Sequence, residues 1–370
     1  DDFDGSYNVE FDAKARITNL GYEVEFVIPF SSLNFPDTEN QELTLMLSRK
    51  LYNKGTESRY MNYAKIDGAG CIICQSNEIY SVENIVKKNK KRLIPSLTAN
   101  SIRERNQDGD MIEEPVDSEV SLGGEYEFNG NNFEFTFNPD FSQVEADQSK
   151  IDINSTTALR FDERRIFFNE GKDFLSSDLS TVYTRSINDP EYALKLYNRG
   201  EKHSYYFLDA EDATTPIIIP GYQRSYSGLL GKSHANIFSY NYNIEKGQNI
   251  GFLATNRDFE EGGNSALYSL KGNFLFNDIY RTQFELVSTD MDEPISDVIN
   301  TNNTSKEHTY NLDGESFSGY GGVFGLSRET ENWETRYYFA TKSPNYRSDL
   351  GFTTENDWKK HSLNQKYKYR

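Results

Sequence analysis

From Val120 onward the chain alternates apolar and polar side chains with a period of two, over segments longer than most soluble proteins use. Val120, Leu122, Gly124, Tyr126 and Phe128 are interleaved with Ser121, Gly123, Glu125 and Glu127. Successive side chains of a strand point to opposite faces, so such a segment separates two different environments. Asn129-Gly130-Asn131 supplies a tight turn, because Asn and Gly tolerate the positive φ that a two-residue hairpin demands. The return strand sets Phe133, Phe135 and Phe137 against Glu134, Thr136 and Asn138.

The phase recurs to the C-terminus. Phe238, Tyr240, Tyr242 and Ile244 precede Ile250, Phe252 and Ala254, and Ala266, Tyr268, Leu270, Gly272, Phe274 and Phe276 follow. A corner at Asn277-Asp278 leads to Tyr280, Phe284 and Leu286. A polar loop from Asp290 to about Asp313 then precedes Tyr320, Phe324 and Leu326, and beyond Glu331-Asn332 come Trp333, Tyr337 and Phe339. The last strand is expected over 363–369. Several segments run to about ten to twelve residues, near what a tilted strand needs to cross a bilayer, against about five or six in a soluble sandwich. Short turns alternating with longer loops fit a barrel whose two ends face different compartments.

Composition agrees. Aromatic residues make up 14% of the chain although hydrophobic residues reach only 36% and the mean hydropathy is -0.75. A membrane barrel reconciles these values, since only alternate residues meet lipid and aromatic girdles mark both interfaces. No run of 18 apolar residues exists, so a transmembrane helix is not expected. A net charge of -19 argues against nucleic acid as a partner. The chain opens on Asp1-Asp2 and is expected to be a mature or truncated piece.

Residues 1–86 differ. An alternating run over 9–17, then Gly21 to Phe30, forms a hairpin signal closed by Pro29. A strand over 43–51 is apolar enough to be central. This is the pattern of a soluble β-sandwich lacking its front. The basic run 87–92 is taken as a linker, and 93–370 as the barrel region. Cys71 and Cys74 form a Cys-x-x-Cys. Without a βαβ context or two further zinc ligands, a buried or oxidised pair is the simplest reading.

The alternation breaks between Asn138 and Thr184. This stretch is dense in charge yet carries Phe141, Phe161, Phe167, Phe168 and Phe174. Mixed charge and large rings together suit a packed polar space such as a barrel lumen. Arg160, Arg164 and Arg165 are candidates for bidentate pairs with Asp140, Glu145, Asp147, Glu163 or Glu170. Two other chemistries could use Asp140, Glu145, Asp147 and Glu170. Glycoside hydrolysis needs two of them about 5–9.5 Å apart, although acids beside arginines tend to stay ionised. Calcium would need oxygen ligands, and the Asp-x-Asp-x-Asp-Gly loop is absent. A structural ion-pair plug ranks first, with no catalytic residue, resident metal or cofactor assigned.

The segment Asn138-Pro-Asp-Phe-Ser-Gln-Val-Glu-Ala-Asp147, followed by Phe161-x-x-Arg-Arg-x-Phe-Phe-x-Glu-Gly171-x-Asp-x-Leu, resembles the signature of a Gram-negative outer-membrane barrel family. Its members carry a family-9 carbohydrate-binding-like domain before a barrel domain of unknown function. Ala13-x-Ala-Arg-Ile17 and Gly21-Tyr-x-x-Glu-Phe-x-Ile-Pro-Phe-Ser-Ser-Leu-x-Phe35 look like the closing strands of that binding domain. Thr184-Arg-Ser-Ile187 and Gly251-Phe-Leu-Ala-Thr-Asn-Arg257 look like later barrel strands. The resemblance implies an all-β chain: the C-terminal part of a β-sandwich, then an incomplete antiparallel barrel with a plug-like segment over 138–184. It further implies a place in the bacterial outer membrane, outer-membrane lipid and carbohydrate as partners, and a role in glycan binding or uptake. The alternatives are a glycoside hydrolase using carboxylates of the 140–170 segment, and a non-catalytic structural or secretion-related barrel.

Overall fold

A computed structural model describes residues 11–30, 33, 40–53, 56–62, 79–83, 85, 91–101, 103–105, 111–113, 117–139, 157–244, 248–277, 279–306, 308–367 and 369. Twelve strands form one antiparallel sheet: β1 (Lys91–Asn100), β2 (Asp117–Phe128), β3 (Asn131–Phe137), β4 (Pro190–Arg199), β5 (His203–Asp212), β6 (Ser233–Asn243), β7 (Asn249–Phe259), β8 (Asn264–Phe276), β9 (Tyr280–Asp292), β10 (Ser316–Glu329), β11 (Trp333–Lys342) and β12 (Trp358–Tyr367). Each strand pairs with its predecessor in this series, so the sheet is a pure meander.

This topology puts alternate connections at opposite ends. The β2–β3, β4–β5, β6–β7, β8–β9 and β10–β11 connections are all short. The first is the expected tight hairpin, with Asn129 at φ 48 and Gly130 at φ 76. At the other end lie the excursion over 138–189, a hairpin (Thr215–Gly221 with Arg224–Leu230), the short turn 260–263, the loop 293–315 and the loop 343–357.

Pairing fixes which side chains share a face. Gly124 lies opposite Phe135, Leu196 opposite Phe207, Phe207 opposite Phe238, and Phe324 opposite Phe339. These belong to an outer face that is apolar and exposed. Leu286 is 56% exposed, Tyr320 61%, Leu363 65% and Leu97 72%. The other face is the packed one. Its core combines Ala193, Tyr206, Leu208, Ala235, Ile237, Leu253, Leu267 and Val323 with Phe168, Phe174, Leu175, Leu179 and Ile187 from the 157–189 segment. A second cluster (Ile217, Ile219, Leu230, Phe259, Ile299, Tyr310 and Leu312) lies among the long connections.

The all-β expectation holds, and so do the strands around Phe133, Phe238, Phe252, Tyr268, Phe284, Phe324 and Tyr337. Closure does not appear: among the described residues β1 and β12 are edges paired on one side only. Several boundaries differ from expectation. The sheet begins within the basic run, because Lys91 and Arg92 pair with Tyr126 and Glu125, and Arg92 reaches Glu125 at 3.2 Å. The final strand starts at Trp358, and β9 runs on to Asp292. Short ladders (Ile295–Ser296 with Leu312–Asp313, Thr304–Ser305 with His308–Thr309) structure the loop that follows.

The N-terminal region also departs from expectation. Its described strands form three separate two-stranded ladders rather than a sandwich: Asp12–Thr18 with Gly21–Val27, Gln41–Thr44 with Ile79–Val82, and Ser48–Asn53 with Thr56–Met61. The hairpin signal is correct, but the single central strand over 43–51 is split. The Asn62 side chain explains the split. Its Oδ1 accepts from Leu47 N (2.8 Å) and its Nδ2 donates to the Leu45 carbonyl (2.9 Å), replacing ladder bonds between the two strands. Cys71 and Cys74 lie outside the described residues.

Candidate functional site: a plug tied to the inner wall

Residues 157–189 contain no strand. They carry a single helical turn, Ile166–Asn169, and two 3-10 turns, Lys172–Leu175 and Thr184–Ser186. Backbone without a ladder leaves polar groups that burial makes costly unless they find partners. The sheet supplies many of them through inward side chains.

From β4, Lys195 donates to the Glu170 carbonyl (3.0 Å) and to that of Phe167, while its charge is met by Glu134 of β3 at 2.8 Å. Ser239 of β6 donates to the Phe174 carbonyl (2.9 Å), and Lys271 of β8 to that of Ser176 (2.7 Å). Glu285 of β9 accepts from the Ser177 hydroxyl (2.7 Å) and the Asp178 amide (3.0 Å). Lys342 of β11 donates to the Leu179 carbonyl (3.2 Å) and Arg257 of β7 to that of Ser186 (3.0 Å). Asp212 of β5 receives the amides of Asn188 (2.9 Å) and Asp189 (2.6 Å). Seven wall strands, β4 to β9 and β11, thus hold one segment by its backbone.

Inside the segment, the centre is one ion pair. Arg165 Nε donates to Glu163 Oε1 (2.9 Å) and Nη2 to Oε2 (2.7 Å), with both side chains essentially inaccessible. The guanidinium also donates to the carbonyls of Ile187 (2.7 Å) and Thr184 (3.0 Å), and the Thr184 hydroxyl donates to Glu163 Oε2 (2.7 Å). It lies over the Phe168 ring at 4.2 Å. Burial raises the Glu163 carboxyl, but the hydrogen bonds and charge of Arg165, with Thr184, outweigh it and leave the acid below its ordinary range.

The expected pairing of an arginine with Glu163 is therefore present, with Arg165 as the partner. Arg160 instead donates to the Ser180 hydroxyl (3.1 Å) and sits over the Tyr183 and Phe352 rings. Arg164 is exposed. Glu170 receives the Tyr197 hydroxyl at 3.4 Å. Asp140, Glu145 and Asp147 lie outside the described residues. The reading of Thr184–Ile187 as a barrel strand is corrected: these residues turn within the plug because their carbonyls are captured by Arg165 and Ile187 is fully buried.

Sequence reasoning missed the wall residues. Lys195, Ser239, Arg257, Glu285 and Lys342 each occupy an ordinary inward slot of an alternating strand. The available signal was that Lys195, Arg257 and Glu285 stand on a row of alternate residues that also carries small side chains.

A carboxylate group elsewhere brings Glu293, Asp313 and Glu315 within 4.8 Å of one another. Arg347 already supplies its counter-charge, with Nη1 at 2.6 Å from Glu293 and Nε at 2.8 Å from Asp349. Burial, only partly offset by Arg347 and reinforced by Asp313, Asp349 and Glu315, pushes Glu293 up to about 7.

No family model, no curated protein and no solved structure matches this chain.

Proposed function

We propose that this chain is an outer-membrane β-barrel protein whose lumen holds the 157–189 plug, acting in glycan binding or uptake. One observation carries the membrane part: the sheet is inside-out for water. Its solvent-facing side bears Leu97, Phe207, Phe238, Phe252, Leu270, Leu286, Phe324 and Leu363. Its covered side bears Glu134, Lys195, Arg257, Glu285 and the plug. A continuous apolar surface over so many strands far exceeds the few hundred Å² that a soluble monomer leaves exposed.

Ring placement agrees with a bilayer. Toward the tight-turn end the outer face carries Tyr126, Tyr240, Tyr280, Trp333 and Tyr367, and toward the other end Tyr192, Tyr268 and Tyr320, with Phe and Leu between. That is the girdle arrangement of membrane barrels. The edges β1 and β12 run antiparallel, so a barrel closes either by pairing them or by adding an even number of strands. The glycan part rests on the resemblance of residues 13–35 to a carbohydrate-binding-like domain. Glu163 is sealed from any substrate by burial against Arg165, which removes it as one of the two carboxylates a hydrolase needs.

The two tryptophans test the membrane reading. Trp333 lies on the outer face, 42% exposed. Trp358 pairs on the inward row and packs against the core. In vesicles of brominated lipid, the Trp358→Phe protein is expected to lose most of its fluorescence and the Trp333→Phe protein to keep it. Equal quenching of the two, or none, would exclude the membrane-facing assignment.

A further inference from the structure

The plug does not fill the inner wall to its tight-turn end. A cavity of about 440 Å³ opens there between residues 173–178 and strands β4 to β9, a size typical of small-molecule sites, about 300–1,000 Å³. A second hollow of about 420 Å³ continues it toward β11, and the two share Asn273 and Gln283. Together they make a trough along one wall.

Across both hollows the acidic groups (Asp173, Asp178, Glu285 and Glu329) match the basic ones (Arg199, Lys271, Arg281 and Arg336), and those of the first cavity are engaged. Arg199 is paired with Asp173, Lys271 holds the Ser176 carbonyl, and Glu285 holds the Ser177 hydroxyl and the Asp178 amide. Asp178 in turn accepts from Gln283 at 3.2 Å. A charged ligand would have to break one of these contacts to be neutralised, and several of them also hold the plug. Most of the remaining lining of the first cavity is amide and hydroxyl, Asn241, Asn243, Asn249 and Asn273 from the wall with Ser176 and Ser204, beside Phe174 and Phe284. Each amide offers both a donor and an acceptor, which complements a ligand whose hydroxyls do both. The second hollow adds Arg281, Glu329 and Arg336, the last paired with Glu334, beside Tyr338 from the inward row of β11.

We propose that this trough binds a neutral oligosaccharide, laid along the inner wall from Asn241 toward Tyr338. The proposal rests on the barrel-and-glycan reading above and gives it a location in the lumen, separate from the N-terminal region. It is tested on the full chain folded in detergent micelles, by titration calorimetry with maltotriose, cellotriose, xylotriose and mannotriose, and with trigalacturonate as a charged control. At least one neutral trisaccharide is expected to bind saturably, and trigalacturonate not to bind. Asn241→Leu and Asn273→Leu are each expected to weaken binding about tenfold. The near-isosteric Asn241→Asp serves if the leucine variant does not fold. The proposal is overturned if none of the four binds at up to roughly 10 mM, a range that spans weak affinities. Binding that ignores the trough substitutions overturns it equally, by placing the sugar elsewhere. Lipid quenching of Trp333 is read independently, so a membrane barrel without a lumenal sugar site gives quenching without calorimetric signal.

Discussion

The two faces of the twelve-stranded sheet are made from the same strands and obey opposite rules. Outward, neighbours such as Leu270 and Leu286 are apolar and are covered by no second layer among the described residues. Inward, the adjacent residues Ser269 and Glu285 bond to each other at 3.0 Å, and Glu285 bonds on to the plug. On the membrane proposal the outer face is expected to tolerate exchange among apolar residues of fitting size, since each would meet lipid equally well. Inner positions under the 157–189 segment are specific, since Lys195, Arg257, Glu285 and Lys342 have named partners whose loss strands another group in a buried environment. The same chain is therefore expected to respond differently to substitution according to residue parity alone.

The largest effect is expected at the centre of the plug. Arg165→Ala leaves the Glu163 carboxylate buried without its counter-charge, a class of change that costs about 3–5 kcal/mol. Urea unfolding followed by tyrosine fluorescence would measure it. The double replacement Glu163→Gln with Arg165→Met removes both charges and is expected to cost clearly less. Equal losses in the two proteins would mean that packing around Phe168, rather than charge, holds the segment.

Strand β9 allows the faces to be compared directly. Leu286→Arg places a charge on the outer face, where the cost near a bilayer midplane is about 2–4 kcal/mol. Gln283→Arg places the same side chain on the inner face beside the open trough, where Asp178, the present acceptor of Gln283, can receive it, and is expected to stay within about 0.5 kcal/mol. If Leu286→Arg is equally mild, the outer face meets water and the contrast between the faces collapses.

Gly171 is the next smaller test. It sits at φ 79, and an added Cβ would lie 3.0 Å from the Tyr206 ring. Gly171→Ala is expected to cost about 1–3 kcal/mol from the left-handed backbone alone, read as a lower urea midpoint at unchanged slope.

The contrast between faces also explains what could be read from the chain. The outer face was legible because period two needs nothing beyond sequence order, and Phe133, Phe135 and Phe137 display it without interruption. The plug was legible as a break in that period, and one of its arginine–carboxylate pairs was among those named. Strands β4 and β5 were not singled out, since Lys195 on the inward row and Asp209 and Glu211 on the outward row blur the alternation. Nor could the tethers be found, because the partner of Glu285 lies more than a hundred residues earlier at Ser177 and is a backbone amide at Asp178. Such a bond leaves no residue-type signature at its other end. The split at Leu45 to Leu47 was hidden for the same reason: the side chain that replaces the ladder there is Asn62.

The smallest expected effect is a pH response confined to the long loops. Glu293 follows β9 directly and holds Arg347 of the β11–β12 loop. Its folded value of about 7 lies above the ordinary carboxylate value of 4.5, chiefly through burial. A group raised in this way contributes stability that is fully present below the ordinary value and is lost as pH rises through about 7. Because the contact joins two loops rather than two strands, the loss is expected as local opening, with little change in global unfolding. Amide exchange in residues 343–349 should therefore quicken between pH 5.5 and 8 by more than the intrinsic rate explains. Glu293→Gln keeps a hydrogen-bonding side chain but cannot titrate, and is expected to flatten that dependence. An unchanged pH profile in the variant would show that Glu293 does not carry the response.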